Sequence, residues 1–334
     1  MVSERAGEPM ESNPILQVTD LHTSFHTREG VVNALNGINL SLWEGQILGL
    51  VGESGSGKTV TALSILRLVP FPGRIDRGEV IYDGKALGKA SEAEMRQIRG
   101  KEISVVFQDP TSSLNPVLTI GTQMEEGLLA HFPMRREEVR RVCADLLWEM
   151  GLPDPIRLME MYPFQISGGM AQRVMIALAM APEPRILIAD EPTSNLDVTL
   201  QAEILDRFKR LQREHNTSVL LITHDMGVVA QMADEVSVMY AGTIMEQGGT
   251  RAFFKKPQHP YSWGLFRAMP RVDQQTESLV AIPGLPPNLI DLPNQCPFLP
   301  RCQKAVVECR TQPRPPLNEL AANHAVACYN PIVY

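Results

Sequence analysis

Eight consecutive residues in the N-terminal part of the chain have the types and spacing of a loop that binds polyphosphate. They are Gly52, Glu53, Ser54, Gly55, Ser56, Gly57, Lys58 and Thr59. Glycines let the backbone fold around a polyphosphate, so that its N–H groups point inward at the phosphate oxygens. In this pattern the lysine reaches the β- and γ-phosphates, and the threonine hydroxyl ligates Mg²⁺. The loop therefore predicts a nucleoside triphosphate site, with a surface glycine turn as the alternative.

Three further side chains with suitable chemistry follow apolar runs that read as strands. Asp190 and Glu191 end the run at residues 185–191, and His224 follows the run at residues 218–223. Asp190 suits a Mg²⁺ ligand, whereas Glu191 could polarise an attacking water as a general base. His224 could reach a γ-phosphate from its strand end. The alternatives are a solvated acidic turn and a structural histidine.

Two other features could contact a nucleotide. A serine and two glycines, Ser167, Gly168 and Gly169, open a predicted apolar helix. Exposed N–H groups and the helix dipole favour an anion at such a position, although a simple N-cap is the alternative. Phe25 ends a predicted strand that leads, through a second strand, towards the phosphate loop. Its ring could stack on adenine, and a core phenylalanine is the alternative.

The elements that must position these residues alternate between strands and helices. A short apolar run at residues 46–51 precedes the phosphate loop, and a run without Gly or Pro at residues 60–69 follows it. That order of strand, loop and helix is the one the loop requires. Ligand residues at strand ends in such a chain indicate an α/β domain with a largely parallel sheet. A helical block at about residues 110–166 interrupts the alternation and predicts an inserted subdomain.

The composition limits the class of protein. Of the 334 residues, 44% are hydrophobic and 21% are charged, as in ordinary soluble globular proteins. The net charge of −7 argues against a nucleic-acid surface, which needs a basic patch. No apolar run approaches the roughly 18–20 residues that span a bilayer. The polar, acidic start of the chain is unlike a signal peptide, and we expect residues 1–14 to form a flexible leader.

Four of the five cysteines lie in the C-terminal region. They are Cys296, Cys302, Cys309 and Cys328, whereas Cys143 borders the apolar face of a predicted helix and is assigned no chemistry. A zinc ribbon needs closely spaced cysteine pairs, which this spacing does not provide. Four thiolates with loose spacing and a Cys-Pro step suit an iron–sulfur cluster better. Zinc, and free or disulfide-bonded cysteines, are the alternatives.

Taken together, residues 15–250 resemble the ATP-binding subunit of an ABC transporter. The motifs that carry the resemblance are the A-loop aromatic at Phe25, Walker A at residues 52–59, the Q-loop at Gln108, the signature at residues 166–170, Walker B at residues 186–191, the D-loop at residues 194–197 and the switch histidine at His224. The resemblance implies a P-loop ABC ATPase fold over residues 15–255, with an antiparallel β subdomain and an inserted helical subdomain.

The resemblance also implies how such a site works. Two such domains would pair head to tail, so that each ATP lies between the Walker motifs of one and the signature at residues 167–169 of the other. Mg²⁺ would be held by Thr59, Gln108 and Asp190. Glu191 would polarise the attacking water and His224 would contact the γ-phosphate, which makes the site competent for hydrolysis.

The partners implied by the resemblance are membrane components. They are a second, similar ATPase that makes a heterodimer, two permeases and an extracytoplasmic solute-binding protein. The helical insert and Gln108 would couple the nucleotide state to a permease. This arrangement places the chain on the cytoplasmic face of the cell membrane as a peripheral protein.

The tail, residues 256–334, resembles the small Cys-rich C-terminal extension of ATPases from dipeptide and oligopeptide importers, some of which carry an iron–sulfur cluster. The resemblance rests on the four cysteines, on His259-Pro260-Tyr261 and on Ile282-Pro283-Gly284. It implies an ATPase that powers peptide import and a structural [4Fe–4S] cluster. Import of nickel or oligosaccharide is the alternative within this architecture. A soluble, iron–sulfur-regulated ABC ATPase is the alternative outside it.

Overall fold

The computed structural model describes residues 13–194, 198–268 and 282–334, so most of the predicted leader lies outside the described residues. Within them the chain forms twelve strands: β1 (Leu16–Thr27), β2 (Gly30–Leu42), β3 (Ile47–Val51), β4 (Gly73–Tyr82), β5 (Lys85–Ala86), β6 (Ile103–Val106), β7 (Ile186–Asp190), β8 (Ser218–Thr223), β9 (Glu235–Tyr240), β10 (Thr243–Gly249), β11 (Asn318–Ala321) and β12 (His324–Val326).

The α-helices of the same residues are α1 (Lys58–Ile65), α2 (Glu92–Ile98), α3 (Pro110–Ser113), α4 (Ile120–Leu129), α5 (Arg136–Glu149), α6 (Pro155–Met159), α7 (Gly168–Met180), α8 (Val198–Glu214), α9 (Met226–Met232), α10 (Thr250–Lys255), α11 (Pro260–Arg267) and α12 (Val307–Thr311). Short 3₁₀ turns lie at Leu87–Lys89, Pro163–Gln165 and Leu299–Arg301. No described helix is long and apolar enough to cross a membrane.

The central sheet has eight strands in the order β11-β12-β10-β9-β3-β8-β7-β6. The strands from β9 to β6 are parallel, and β10, β12 and β11 continue the sheet in antiparallel pairing. Every residue of β3, β7 and β8 is buried, because both faces of these strands are covered. The predicted α/β domain with a largely parallel sheet is confirmed.

A second, antiparallel sheet of four strands has the order β2-β1-β4-β5. Its apolar side chains form one buried cluster with β3 and α1, in which Ile38, Leu50 and Ile65 are fully buried. The helix that follows the phosphate loop is therefore packed between the two sheets. This antiparallel β subdomain was also predicted from the sequence.

Between β6 and β7 the described chain contains helices and no strand, as the sequence predicted. Buried side chains of α4, α5 and α7 form one apolar cluster with β8, including Met124, Leu147, Val174 and Leu221. Because this cluster is continuous, the inserted helices are joined to the sheet that carries the site residues.

The C-terminal region extends the central sheet, since β12 pairs with β10. A third apolar cluster joins the ATPase sheet to this region and includes Tyr240, Tyr261 and Phe298. Neither β11 nor β12 was predicted from the sequence. The domain boundary near residue 255 stays a prediction.

Candidate functional site

The phosphate loop connects β3, at the centre of the sheet, to α1. A Cβ atom at Gly52 would collide with the carbonyl oxygen of Met239, so the adjacent strand β9 excludes any side chain at this position. Gly57 caps α1 with a φ of 107°, a conformation that favours glycine. The two glycines thus let the loop turn tightly and start the helix at Lys58.

Lys58 lies buried at the base of the loop. Its Nζ atom donates to the carbonyl oxygens of Gly52 at 2.8 Å and Glu53 at 3.0 Å. Burial lowers the pKa of the ammonium group, and the negative charges of Glu191 and Asp190 oppose that shift. The lysine is therefore close enough to both predicted carboxylates to interact with their charge.

Asp190, the last residue of β7, is 2% exposed. The Thr59 side chain hydrogen-bonds to its carboxylate, and burial raises the pKa of the group. The carboxylate oxygen Oδ1 is buried and has no hydrogen-bond partner among the described residues. A buried carboxylate oxygen normally has a partner. The unused oxygen and the threonine hydroxyl together form a donor set that suits Mg²⁺.

Glu191 is held between two side chains that the sequence analysis also selected. Gln108 Nε2 donates to Oε2 of Glu191 at 3.0 Å, and His224 Nδ1 donates to Oε1 at 2.9 Å. The Glu191 backbone has a φ of 47°, and its N–H donates to the carbonyl oxygen of Ile222 on β8. Gln108 meets Glu191 through its amide nitrogen, and its predicted role as a Mg²⁺ ligand stays a prediction.

The signature residues lie at the start of α7. Ser167 caps this helix, because its Oγ atom accepts the N–H of Met170 at 3.3 Å. Ser167 and Gly168 are exposed, and a Cβ atom at Gly168 would meet open space. Ser167 thus acts as an N-cap, as the alternative interpretation expected. Phosphate binding by residues 167–169 stays a prediction. Residues 195–197 of the predicted D-loop lie outside the described residues.

Phe25 lies on β1, opposite Val32 of β2 and Gly73 of β4. The ring is partly buried over Gly73, where a Cβ atom would lie 2.6 Å from Phe25 Cε1 and 2.6 Å from Cγ1 of Val69. Its predicted stacking on adenine stays a prediction.

The four C-terminal cysteines line a single small cavity, together with His259 and Phe298. Burial raises the pKa of Cys296 to about 12, and the charges of Cys328, Cys302 and Cys309 raise it further. These thiols are therefore close neighbours. Among the described residues, however, no group of three or more His, Cys, Asp or Glu side chains has the arrangement of a metal site. Cys143 is buried in α5.

Two residues with no predicted role in the nucleotide site contact the phosphate loop from the C-terminal region. Tyr261 Oη accepts the N–H of Glu53 at 2.9 Å, and Arg301 forms an ion pair with the Glu53 carboxylate. Glu53 and Arg301 are 248 positions apart, so no local pattern could predict their pairing. The one sequence feature that could have drawn attention to Arg301 is its position directly before Cys302.

Two family profiles together cover most of the chain. Residues 35–194 match the family described as ABC transporter. Residues 245–309 match the family described as Oligopeptide/dipeptide transporter, C-terminal region. A third match, to an AAA domain described as a putative AbiEii toxin of a Type IV TA system, spans residues 160–230.

Curated relatives and solved structures agree with these profiles. The oligopeptide transport ATP-binding protein OppD of Salmonella typhimurium is 44% identical over 99% of this chain and 98% of its own. The dipeptide transport ATP-binding protein DppD of Bacillus subtilis is 46% identical over 94% of each chain. A dimeric ATP-binding cassette solved in a post-hydrolysis state with ADP and Pi has a TM-score of 0.65 and 29% identity, over 71% of this chain and 99% of that one. The chain therefore belongs to the ABC transporter ATP-binding family, in the group that carries the oligopeptide/dipeptide transporter C-terminal region.

Proposed function

We propose that this chain is the ATP-hydrolysing subunit of an ABC importer for dipeptides or oligopeptides. The observation that carries the proposal is the Glu191 carboxylate, held between Gln108 and His224 directly after β7. One residue earlier, Asp190 is hydrogen-bonded to Thr59 of the phosphate loop. The proposed general base and the proposed Mg²⁺ ligand are thus adjacent residues at one strand end.

Each part of the site has its own task in hydrolysis. Backbone N–H groups of the phosphate loop bind phosphate oxygens, and Lys58 stabilises their negative charge. Thr59 and Asp190 would hold Mg²⁺, which would neutralise part of the phosphate charge. Glu191 accepts a proton from water as the water oxygen bonds to the γ-phosphorus. The bond from that phosphorus to the β–γ bridging oxygen breaks, ADP leaves with that oxygen and its bonding electrons, and ADP and phosphate are the products.

A second ATPase subunit completes the site. Ser167 and Gly168 are exposed at the N-terminal end of α7, where a partner's nucleotide would reach them. The dimeric cassette bound to ADP and Pi is a member of the same fold that assembles in pairs. Head-to-tail pairing, with a second and similar ATPase as partner, would let the two anion sites of one chain serve two different ATP molecules.

The remaining partners are two membrane permeases and an extracytoplasmic solute-binding protein, with this chain on the cytoplasmic face of the membrane. The names of the two relatives, an oligopeptide and a dipeptide transport ATP-binding protein, support this assembly and its substrate class. Purification of the tagged chain from membranes tests it. Co-purification of permeases and a second ATPase is the expected result, and recovery of the chain without any permease would overturn the importer assignment.

The substrate class is tested on the solute-binding protein of the same assembly. Mass spectrometry of the ligand released from that protein should find short peptides. Release of a nickel complex or an oligosaccharide would instead correct the substrate while leaving the ATPase assignment intact.

We further infer that Cys296, Cys302, Cys309 and Cys328 hold a [4Fe–4S] cluster that stabilises the C-terminal region. The common cavity and the set of four sulfur donors support the inference. The described thiols do not already have a metal-site arrangement, so binding requires them to shift within the cavity. Anaerobic purification should yield iron, sulfide and a visible charge-transfer band. A preparation without iron would contradict the inferred cluster.

A further inference from the structure

We propose that Arg301 is a positioning residue for the phosphate loop, through which the C-terminal region sets the affinity for ATP. Its Nη1 atom lies 2.6 Å from Oε2 of Glu53, and its Nη2 atom lies 3.0 Å from Oε1. Two parallel hydrogen bonds between charged groups fix both the distance and the plane of the carboxylate. A residue outside the ATPase motifs thus holds the second residue of the loop.

Arg301 is itself immobilised by its surroundings. Its side chain is 5% exposed, and its Nε atom donates to the carbonyl oxygen of Pro283 at 3.0 Å. Nη2 also donates to the Ile282 carbonyl oxygen at 3.3 Å, and Nη1 to Tyr240 Oη at 3.1 Å. The guanidinium group further lies over the rings of Tyr240 and Phe298. Because these contacts fix the guanidinium group, a shift of the chain segment that carries Arg301 would also shift the Glu53 carboxylate.

Glu53 in turn is tied to the part of the loop that meets phosphate. Its carbonyl oxygen accepts from Lys58 Nζ at 3.0 Å and from the backbone N–H of Ser56 at 3.2 Å. Its own N–H donates to Tyr261, which is fully buried. A shift of the Glu53 backbone would therefore change the position of the lysine and of the N–H groups that bind phosphate.

The segment that carries Arg301 connects this network to the cysteines. Arg301 ends a 3₁₀ turn, Leu299–Arg301, between Cys296 and Cys302. The rings of Tyr240, Tyr261 and Phe298 pack on one another, with centroid distances of 4.5 to 5.4 Å. The path from the cysteines to Lys58 is thus a continuous set of packed and hydrogen-bonded groups.

The test compares ATP affinity with stability in the full-length chain. A fluorescent ATP analogue with Mg²⁺ reports the dissociation constant, and a thermal melt reports folding. Arg301→Met should weaken binding about tenfold, the size expected for a positioning contact. Arg301→Lys keeps the charge but cannot make the two parallel hydrogen bonds, and its dissociation constant should lie between those of the wild type and Arg301→Met.

Arg310→Met is the matched control, since Arg310 is exposed and is adjacent to Cys309 in the sequence, as Arg301 is to Cys302. It should bind ATP like the wild type.

Glu53→Gln changes the other partner of the Arg301–Glu53 ion pair and leaves the sequence of the C-terminal region unchanged. It should weaken ATP binding to a similar extent, and the double variant with Arg301→Met should be no weaker than either single variant. A role in anchoring the C-terminal region alone predicts a lower melting temperature with unchanged ATP affinity of the folded protein. That result, or additive effects of the two changes, would overturn the proposal.

The inference rests on the proposed ATP site, and the two can fail separately. If the wild-type chain does not bind Mg-ATP, the proposed function fails. If the wild type binds and Arg301→Met binds equally well, only the role of Arg301 fails.

Discussion

His224 Nδ1 lies 2.9 Å from Glu191 Oε1, although the two residues come from neighbouring strand ends 33 positions apart. The carboxylate is 10% exposed while the imidazole is 56% exposed. The proposed general base is therefore mostly buried, and the more exposed histidine holds one of its oxygens. We therefore propose that His224 contributes to catalysis by orienting Glu191, in addition to the predicted contact with the γ-phosphate.

Replacement of His224 by Ala removes one of the two hydrogen bonds that orient Glu191. We expect ATP turnover to fall by about 10²-fold, because a poorly oriented base transfers the proton less efficiently. ATP affinity should change much less. Phosphate release and ATP binding, measured on the same preparation, check both parts. His215→Ala, at a partly buried histidine after α8, is the control and should leave turnover unchanged.

Asp190→Asn removes the charge that the Mg²⁺ site needs and keeps the shape of the side chain. The Mg²⁺ concentration for half-maximal hydrolysis should rise at least about tenfold, since an amide oxygen is a much weaker ligand than a carboxylate. A Mg²⁺ titration of ATP hydrolysis measures this change. Asp145→Asn, at an exposed position of α5, is the control. An unchanged Mg²⁺ requirement in Asp190→Asn would contradict the assigned ligand.

The contact between His324 and Glu246 joins β12 to β10 in the buried interior. His324 Nε2 lies 2.7 Å from Glu246 Oε1, and the side chains are 4% and 0% exposed. His324→Ala leaves a buried carboxylate with one partner fewer, which should lower the local opening free energy by about 2–3 kcal/mol. Amide hydrogen exchange in β12 should become correspondingly faster. Unchanged protection of β12 would mean that the pair does not hold this strand.

The sequence was sufficient to predict the parts of the site that depend on local patterns. The spacing of Gly52, Lys58 and Thr59 lies within one loop, and Asp190 and Glu191 directly follow an apolar strand. Parallel strands bring their carboxyl ends to one edge of a sheet, so His224 could be placed near them without coordinates. The approach of His224 to Glu191 agrees with that expectation.

The parts that the sequence could not predict depend on distant contacts. β11 and β12 have only four and three residues, and they become strands because the edge of β10 is available for pairing. The Arg301–Glu53 ion pair likewise requires the C-terminal region to fold back on the phosphate loop. Short elements of this kind carry too weak a local preference to be recognised before the tertiary partner is known.

Replacement of Glu191 by Gln tests the proposed general base, with ATP binding and phosphate release measured on the same purified transporter complex. The amide keeps the size of the side chain but cannot accept the proton from water. We expect ATP binding within about twofold of the wild type and turnover lower by about 10²–10⁴-fold. Glu214→Gln, at an exposed residue of α8, should hydrolyse ATP normally. Wild-type turnover in Glu191→Gln would contradict the assignment of Glu191 as the general base.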